Sequence, residues 1–442
     1  MSTSMIPQFL LAAPMSGSGK TTLARGLMAL LADKGYRVQP FKCGPDYIDT
    51  KFHEAVCHRP SINLDTFMAS PKHVTSLYER YAATADVCIT EGMMGLYDGY
   101  DRDLGSSADI ARVLDLPTVL VVDARSAAYS TAALIAGFAG FRQHVKMAGV
   151  IFNKVGSARH RELLRQVCDD LSVECLGFVP QSADLETGSR YLGLDFSQQA
   201  ENRALIGLLE KELHWQRLLE LTLRPRPQPV VGRSVFFADG TVAVARNQES
   251  FSFLYQENLD VLGPYLSFFD PEQDEPIPAD TGLLYLPGGY PEKHLQALSS
   301  AVRCRESIRA YARRGGRILA ECGGMMYLCR SILADSGAYP MCGVLPYDIT
   351  AREADRKLTL GYRRFVLPKS VWRGFILPER EYRGHEFHYT RFAGDEPVSA
   401  VAVTDAWGRR VPTPFLRWKN VRASYTHLYL GQADIERLFD VI

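Results

Sequence analysis

The segment "FLLAAPMSGSGKTTL", Phe9 to Leu23, constrains the fold more than any other stretch of the chain. A short β-rich run passes directly into a glycine-rich turn, and the turn into a segment with helical spacing, so strand, loop and helix are set in that order. Gly19-Lys20-Thr21 matches the end of the pattern G-x-x-x-x-G-K-[ST], although Pro14 stands where the first glycine normally sits. In such a loop, glycines such as Gly17 and Gly19 let backbone N–H groups converge on phosphate oxygens. Lys20 adds a point positive charge, and Thr21, followed by Thr22, offers a hydroxyl to Mg²⁺ at the helix start. The bland alternative is a glycine-rich turn with no ligand. The intact Gly-Lys-Thr-Thr between strand and helix argues against it.

The alternation continues downstream. "YRVQPFK", "DVCITEG", "TVLVVDA", "MAGVIFNKV" and "VECLGFVP" are strand-length runs at helical separations, the pattern of a parallel sheet with crossover helices. It closes on a helical "LIGLLEKELHWQRLLELT". Then "LRPRPQPVVGR", residues 223 to 233, crowds prolines and arginines where neither a helix nor a central strand continues. Past it the alternation restarts with "VAVARN", "LLYLPGG" and "GRILAECGG" and gives way to a more β-rich tail. At 442 residues the chain has length for two cores. The expectation is an α/β protein of two domains: a phosphate-loop, parallel-sheet domain over 1–225, a linker over 226–236 and a second domain over 237–442.

Basic and acidic side chains, 50 of each, cancel, so nucleic acid is not an expected partner. Nine scattered cysteines without a C-x-x-C pair disfavour a disulfide scaffold and a zinc ribbon. The N-terminal apolar run has no basic stretch before it, and no run approaches the ~20 apolar residues of a membrane helix. A soluble, cytoplasmic protein with no membrane partner is expected.

"KCGPDYIDTKFH" and "TEGMMGLYDG" begin at strand ends, where open α/β sheets gather ligands. They carry Asp46, Asp49, Glu91 and Asp98. Carboxylates beside a triphosphate repel it unless Mg²⁺ or a cation intervenes, so metal coordination or proton transfer is the natural role for some of them. Turn and cap roles compete most strongly at Asp49 and Asp98, and least at Glu91, directly after "DVCIT". Asn153, closing "MAGVIFNKV", offers the donor and acceptor that suit a purine ring, although asparagine at a strand end is commonly a turn residue.

In "GRILAECGGMMYLC", "RILA" reads as a buried strand and "MMYLCRSIL" as a helix, leaving Glu321-Cys322-Gly323-Gly324 as a sharp turn. A nucleophile elbow has this form, small residues permitting a strained turn that lifts the nucleophile above a sheet. A core thiol would sit more naturally in mid-strand; Cys88, Cys168 and Cys329 read as such core or helix-face thiols, and no second ligand stands at metal spacing beside Cys322. A thiol nucleophile needs a base. Among ten histidines, His427, after the strand-like "VRASYT", is favoured. His385 and His388 of "RGHEFHYT" equally suit a substrate pocket or a sheet cap.

Taken together, "SGSGKTT", "KCGPDYIDTKFH", "EGMMGLYDG", "LPGGYPE", "AECGGMMYL", "GHEFHYT" and "ASYTHLYL" span residues 16 to 430. With them the chain resembles the cobyrinic acid a,c-diamide synthases, in which a dethiobiotin-synthetase-like ATPase domain is joined to a class I glutamine amidotransferase domain. That family's phosphate loop also lacks the first glycine. The resemblance implies a ligase that forms carbon–nitrogen bonds: L-glutamine is hydrolysed at Cys322, with His427 as base and then acid, and ammonia passes to the N-terminal domain. There ATP phosphorylates the c and then the a acetate of a tetrapyrrole, and ammonia displaces the phosphate. By the same resemblance Lys20 and Thr21 contact phosphate and Mg²⁺, and Asp46, Glu91 and Asp98 are candidates for metal binding and phosphoryl transfer. Asp46, Tyr47, Ile48 and Asp98 fall on the tetrapyrrole side. The backbone of Gly288 and Gly289, with the N–H after Cys322, would form an oxyanion hole. Class I enzymes commonly read His-x-Glu, whereas this chain has Tyr429 two residues after His427, as the subfamily does; Glu386 is a candidate for orienting the histidine.

Hydrogenobyrinic acid, nickel sirohydrochlorin and, with a different domain layout, cobyric acid precursors are alternative substrates that share the ATP and glutamine chemistry. A non-enzymatic regulatory P-loop ATPase would have no need of Cys322 and His427, and a dethiobiotin-type carboxylase would need no cysteine domain. Monomer and homodimer both remain open.

Overall fold

The computed structural model describes residues 4–181, 199–232, 240–372, 375–395 and 397–439. Its chain forms two compact units, Met1–Val231 and Gly232–Ile442.

The first unit is built on seven parallel strands: β1 (Met5–Ala12), β2 (Val38–Cys43), β3 (Ile62–Leu64), β4 (Val87–Glu91), β5 (Pro117–Asp123), β6 (Lys146–Val155) and β7 (Cys175–Pro180). Their order is β3-β2-β4-β1-β5-β6-β7. The strands are buried on both faces, as helical crossovers require, and Leu11, Ile89, Val119, Val121 and Ile151 pack with the helix Lys20–Asp33 in one core. Each such side chain, fully buried, contributes about 1.5–3 kcal/mol of apolar transfer. The strand order reverses around β1 and β4, and the loops leaving the carboxyl ends of β1, β2 and β4 carry the three N-terminal motifs.

Two expectations change here. Leu223–Pro225, read as the start of an irregular proline-rich stretch, is a short strand, β8, antiparallel to the beginning of β1, with Met5 opposite Pro225. The helical reading of residues 205–222 divides into Gln199–Glu212 and Trp215–Leu221, because the backbone at Leu213 and His214 turns aside to pair with Gly177 and Leu176 at the free edge of β7.

The second unit has a mainly parallel sheet of Leu266–Phe269, Thr241–Ala245, Thr281–Leu286, Arg317–Glu321 and Val421–Ser424, edged by antiparallel Phe415–Trp418. Strand alternation divides its side chains: Ala243, Leu284, Leu286 and Ala320 enter one core with Cys322, and Val244, Leu283, Tyr285 and Leu319 enter the other. A separate antiparallel sheet contains Val403–Thr404, Thr359–Leu367, Arg380–His388 and Thr426–Leu428. The helix expected over "MMYLCRSIL" ends at Leu328. Ser331–Ala334 is instead a strand, hydrogen bonded to Gly337–Pro340 and Asp348–Thr350, with the β-branched Ile332 as its buried residue.

Candidate functional site

Gly17 and Gly19 both lie in the left-handed region, at φ 80° and 86°, where any other residue would be strained. An added Cβ at Gly19 would also overlap the Asn153 amide. The helix Lys20–Asp33 begins on Gly19 with no side-chain cap, which leaves its first N–H groups for an anion. The loop is braced from the end of β6: Asn153 Nδ2 donates to Ser18 O at 2.9 Å, and Lys154 Nζ to Gly17 O at 3.0 Å. The asparagine expected at the purine thus has its donor on the loop. Lys20 Nζ donates to Met94 O at 2.7 Å, and burial followed by Lys42 lowers its pKa to about 8.

Beneath the loop is a buried polar cluster. Lys42 Nζ meets Asp49 at 2.6 Å and Glu91 at 2.9 Å, with the lysine only 2 % exposed. Thr21 Oγ1 donates to Glu91 at 2.6 Å and lies 3.4 Å from Asp49, while His53 Nε2 is 2.7 Å from the other Glu91 oxygen. Burial alone would raise the Glu91 carboxyl, yet Lys42, His53 and Thr21 hold it well below the ordinary carboxylate range. Burial likewise opposes the Lys42 charge, and Asp49 and Glu91 more than restore it.

The carboxylates sort differently from their sequence reading. Asp46 caps the helix Asp49–Cys57, its Oδ1 accepting the N–H groups of Ile48 and Asp49 at 2.9 Å. Asp98 holds a turn by accepting Gly95 N–H at 2.9 Å. Asp49, where a cap role looked strong, is the one that joins Thr21. Tyr47 is buried and Ile48 half-buried. Lys42 and His53 were missed by sequence reasoning; their signal was a lysine inside a β-strand and a histidine one helical turn after Asp49. Among the described residues no group of three or more His, Cys, Asp and Glu side chains could hold a metal by itself. Mg²⁺, however, usually takes one or two carboxylates and completes its shell with phosphate and water, so Thr21, Asp49 and Glu91 fit it.

In the second unit Cys322 has φ 45° and ψ −108° between Arg317–Glu321 and the helix Gly323–Leu328, the strained turn of a nucleophile elbow. Gly324 permits it, since an added Cβ there would overlap Leu286 O. The N–H groups of Gly323 and Gly289 both reach the Cys322 sulfur, and the thiol donates to Phe387 O at 3.7 Å. Burial and then Glu292 push the thiol pKa above its ordinary value, against those two amides.

Val421–Ser424 runs parallel to Arg317–Glu321, but the chain then leaves that sheet, and Thr426–Leu428 pairs with Arg380–His388 instead. This brings His427 to the sheet end. It is 1 % exposed, its ring faces Phe253, and burial, then His385 and His388, hold its pKa well below that of a free imidazole. Gly288 touches the same ring, because an added Cβ would overlap His427 Cε1. Adjacent glycines therefore contact the two groups, Gly288 the imidazole and Gly289 the sulfur.

The strand register sets His385, and not Glu386, opposite His427. The Glu386 carboxylate is engaged by Arg363, by Thr413 at 2.7 Å and by His388 at 2.8 Å, and His388 stacks on Tyr425. Tyr429 donates its hydroxyl to buried Glu257.

A phosphate-binding parallel-sheet unit and a cysteine–histidine unit in one chain define a nucleotide-binding domain joined to a glutamine amidotransferase domain. Residues 9–194 match the CobQ/CobB/MinD/ParA nucleotide binding domain, and residues 241–435 the CobB/CobQ-like glutamine amidotransferase domain. The chain is 36% identical to the cobyrinate a,c-diamide synthase of Caldanaerobacter subterraneus subsp. tengcongensis, over 98% of this chain and 97% of that protein. It is 39% identical to the hydrogenobyrinate a,c-diamide synthase of Brucella abortus biovar 1, over 96% and 99%, and 36% identical to that of Streptomyces coelicolor, over 97% and 95%. The chain belongs to the family of cobyrinate and hydrogenobyrinate a,c-diamide synthases. No helix among the described residues is long and apolar enough to cross a membrane.

Proposed function

We propose that this protein is a cytoplasmic ligase that amidates the c and then the a acetate of cobyrinic acid, using ATP, Mg²⁺ and L-glutamine. The observation that carries the reading is Cys322 on its strained turn, facing the Gly289 and Gly323 amides, in a chain that also holds a phosphate loop.

His427, neutral at its buried site, takes the proton as Cys322 sulfur attacks the glutamine amide carbon. The Gly289 and Gly323 amides stabilise the oxyanion. His427 then protonates the departing ammonia, and water releases glutamate from the thioester. In the other domain the acetate oxygen attacks the γ-phosphorus of ATP, ADP leaves, and ammonia displaces phosphate from the resulting acyl phosphate to give the amide. A carboxylate is a poor electrophile, and phosphorylation supplies the leaving group. Lys20 and the loop amides would hold the phosphates, and Thr21, Asp49 and Glu91 would hold Mg²⁺, which would neutralise charge on the transferring group. Lys42 holds both carboxylates in place and helps keep Glu91 ionised.

Hydrogenobyrinic acid is the second reading, favoured by the relatives at 39% identity. Incubating each tetrapyrrole with ATP, Mg²⁺ and glutamine, followed by mass spectrometry, decides: two carboxyl-to-amide conversions on one compound name the substrate, and none on either, with Cys322→Ser matching wild type in ammonia release, overturns the proposal.

A further inference from the structure

Glu292 lies in the single 3₁₀ turn Pro291–Lys293, directly after Gly288-Gly289. The turn is seated against the nucleophile elbow, since a Cβ added at Gly323 would come within 2.8 Å of Pro291 Cδ. From there the carboxylate is, after burial, the strongest influence on the Cys322 thiol. Glu292 Oε2 is closed to solvent and has no hydrogen-bond partner among the described residues. Burial raises the pKa of the group, outweighing its own backbone N–H and then Lys293, Arg356 and His388 at longer range. An acceptor shut away in this state costs free energy until a donor arrives, and a carboxylate is best satisfied by a cationic donor.

The ammonia donor brings one. Glutamine carries its α-ammonium a short side chain away from the amide that Cys322 attacks, so an amide seated at the sulfur sets the ammonium among the groups beside the elbow. A simple amide brings none. We infer that Glu292 binds the α-ammonium of the glutamine held at Cys322 and makes the site selective for an α-amino acid amide. This rests on the amidotransferase reading. It also gives Glu292 a second effect: the bound ammonium cancels an anionic neighbour of the thiol, so the sulfur ionises more readily once the correct donor is in place.

The test compares ammonia release from L-glutamine and from 4-carbamoylbutanoate, which is glutamine without its α-amino group. Loss of one charge-assisted hydrogen bond predicts that the wild-type full-length enzyme prefers glutamine by about 100-fold in kcat/KM. Glu292→Gln is expected to lose about 10- to 100-fold on glutamine, chiefly in KM, and less than about threefold on the analogue, so that discrimination collapses. Glu292→Asp is expected to restore part of it. Wild type using both donors within about threefold, or Glu292→Gln losing equally on both, overturns the inference; the wild-type comparison stands even where a variant does not fold. Absence of any Cys322-dependent release from glutamine would instead sink the amidotransferase reading, and this inference with it.

Discussion

Glu321 Oε1 accepts the backbone N–H of Leu428 at 2.9 Å, joining the residue before Cys322 to the residue after His427. Ladder pairing between those segments stops at Glu321 opposite Ser424, where the chain leaves for the antiparallel sheet. The carboxyl bridges the gap that the departure opens. Tyr285 donates to its other oxygen at 2.8 Å, so the side chain is held at both ends on the face opposite the Cys322 core. The spacing of the thiol and the imidazole thus depends on a group that takes no part in the proposed chemistry.

That group supplies a pH signature. Burial raises the Glu321 pKa to about 8, from the ordinary carboxyl value of 4.5. Between those values the folded protein binds more protons than the unfolded chain, so the carboxyl's stabilising contribution is complete below about pH 4.5, declines as pH rises and is gone above about 8. Glu321→Gln keeps an acceptor for Leu428 without a charge. Its stability relative to wild type is expected to rise between pH 5 and pH 9, by a few kcal/mol at most, since a tenfold change in proton affinity is worth about 1.4 kcal/mol. Urea denaturation across that range measures it, and parallel curves for the two proteins would contradict a neutral Glu321.

Gly288→Ala inserts a methyl group where the His427 ring lies. A displacement of about 1 Å at a catalytic group costs about 100-fold in rate, so glutaminase kcat is expected to fall by that order while far-ultraviolet dichroism stays that of wild type. Unchanged kcat would mean that the imidazole need not sit against this loop.

The local motifs were legible because they are properties of consecutive residues: "SGSGKTT" and "AECGG" set their own turns through glycines at strand ends. What converges across strands was not. Lys42, Glu91 and Thr21 meet only because β2, β4 and β1 are neighbours, an order that periodicity does not reveal. Asp46 and Asp49 exchanged roles because the first helical residue is Asp49, and a shift of one helical turn decides which carboxylate caps and which faces inward. Glu386 looked available to His427 until register set it opposite Thr426.

The Lys42 cluster makes a prediction about coupled charges. Lys42→Met leaves Asp49 and Glu91 buried together without their cation, and breaking such a pair costs about 3–5 kcal/mol. The first unit should be destabilised by that amount in urea, Glu91→Gln added to it should recover part, and millimolar Mg²⁺ should protect the single variant more than wild type. Additive losses in the double variant would show that the two side chains are not energetically linked.

Cys322 makes the last prediction, because its setting pulls in two directions. The helix start and the amides of Gly289 and Gly323 favour a thiolate, whereas burial, Glu292 and Glu386 oppose one, and the opposing effects win. His427 is held neutral, so the resting pair is thiol and imidazole and not thiolate and imidazolium. The sulfur should then ionise only as substrate arrives. Alkylation of Cys322 by iodoacetamide in the free enzyme, followed by peptide mass spectrometry, is expected to climb about tenfold per pH unit from pH 7 to beyond pH 9, since the thiolate is the reactive form. A plateau reached by pH 7 would reveal a preformed thiolate, and with it an ion pair between Cys322 and His427 that the burial of both groups argues against.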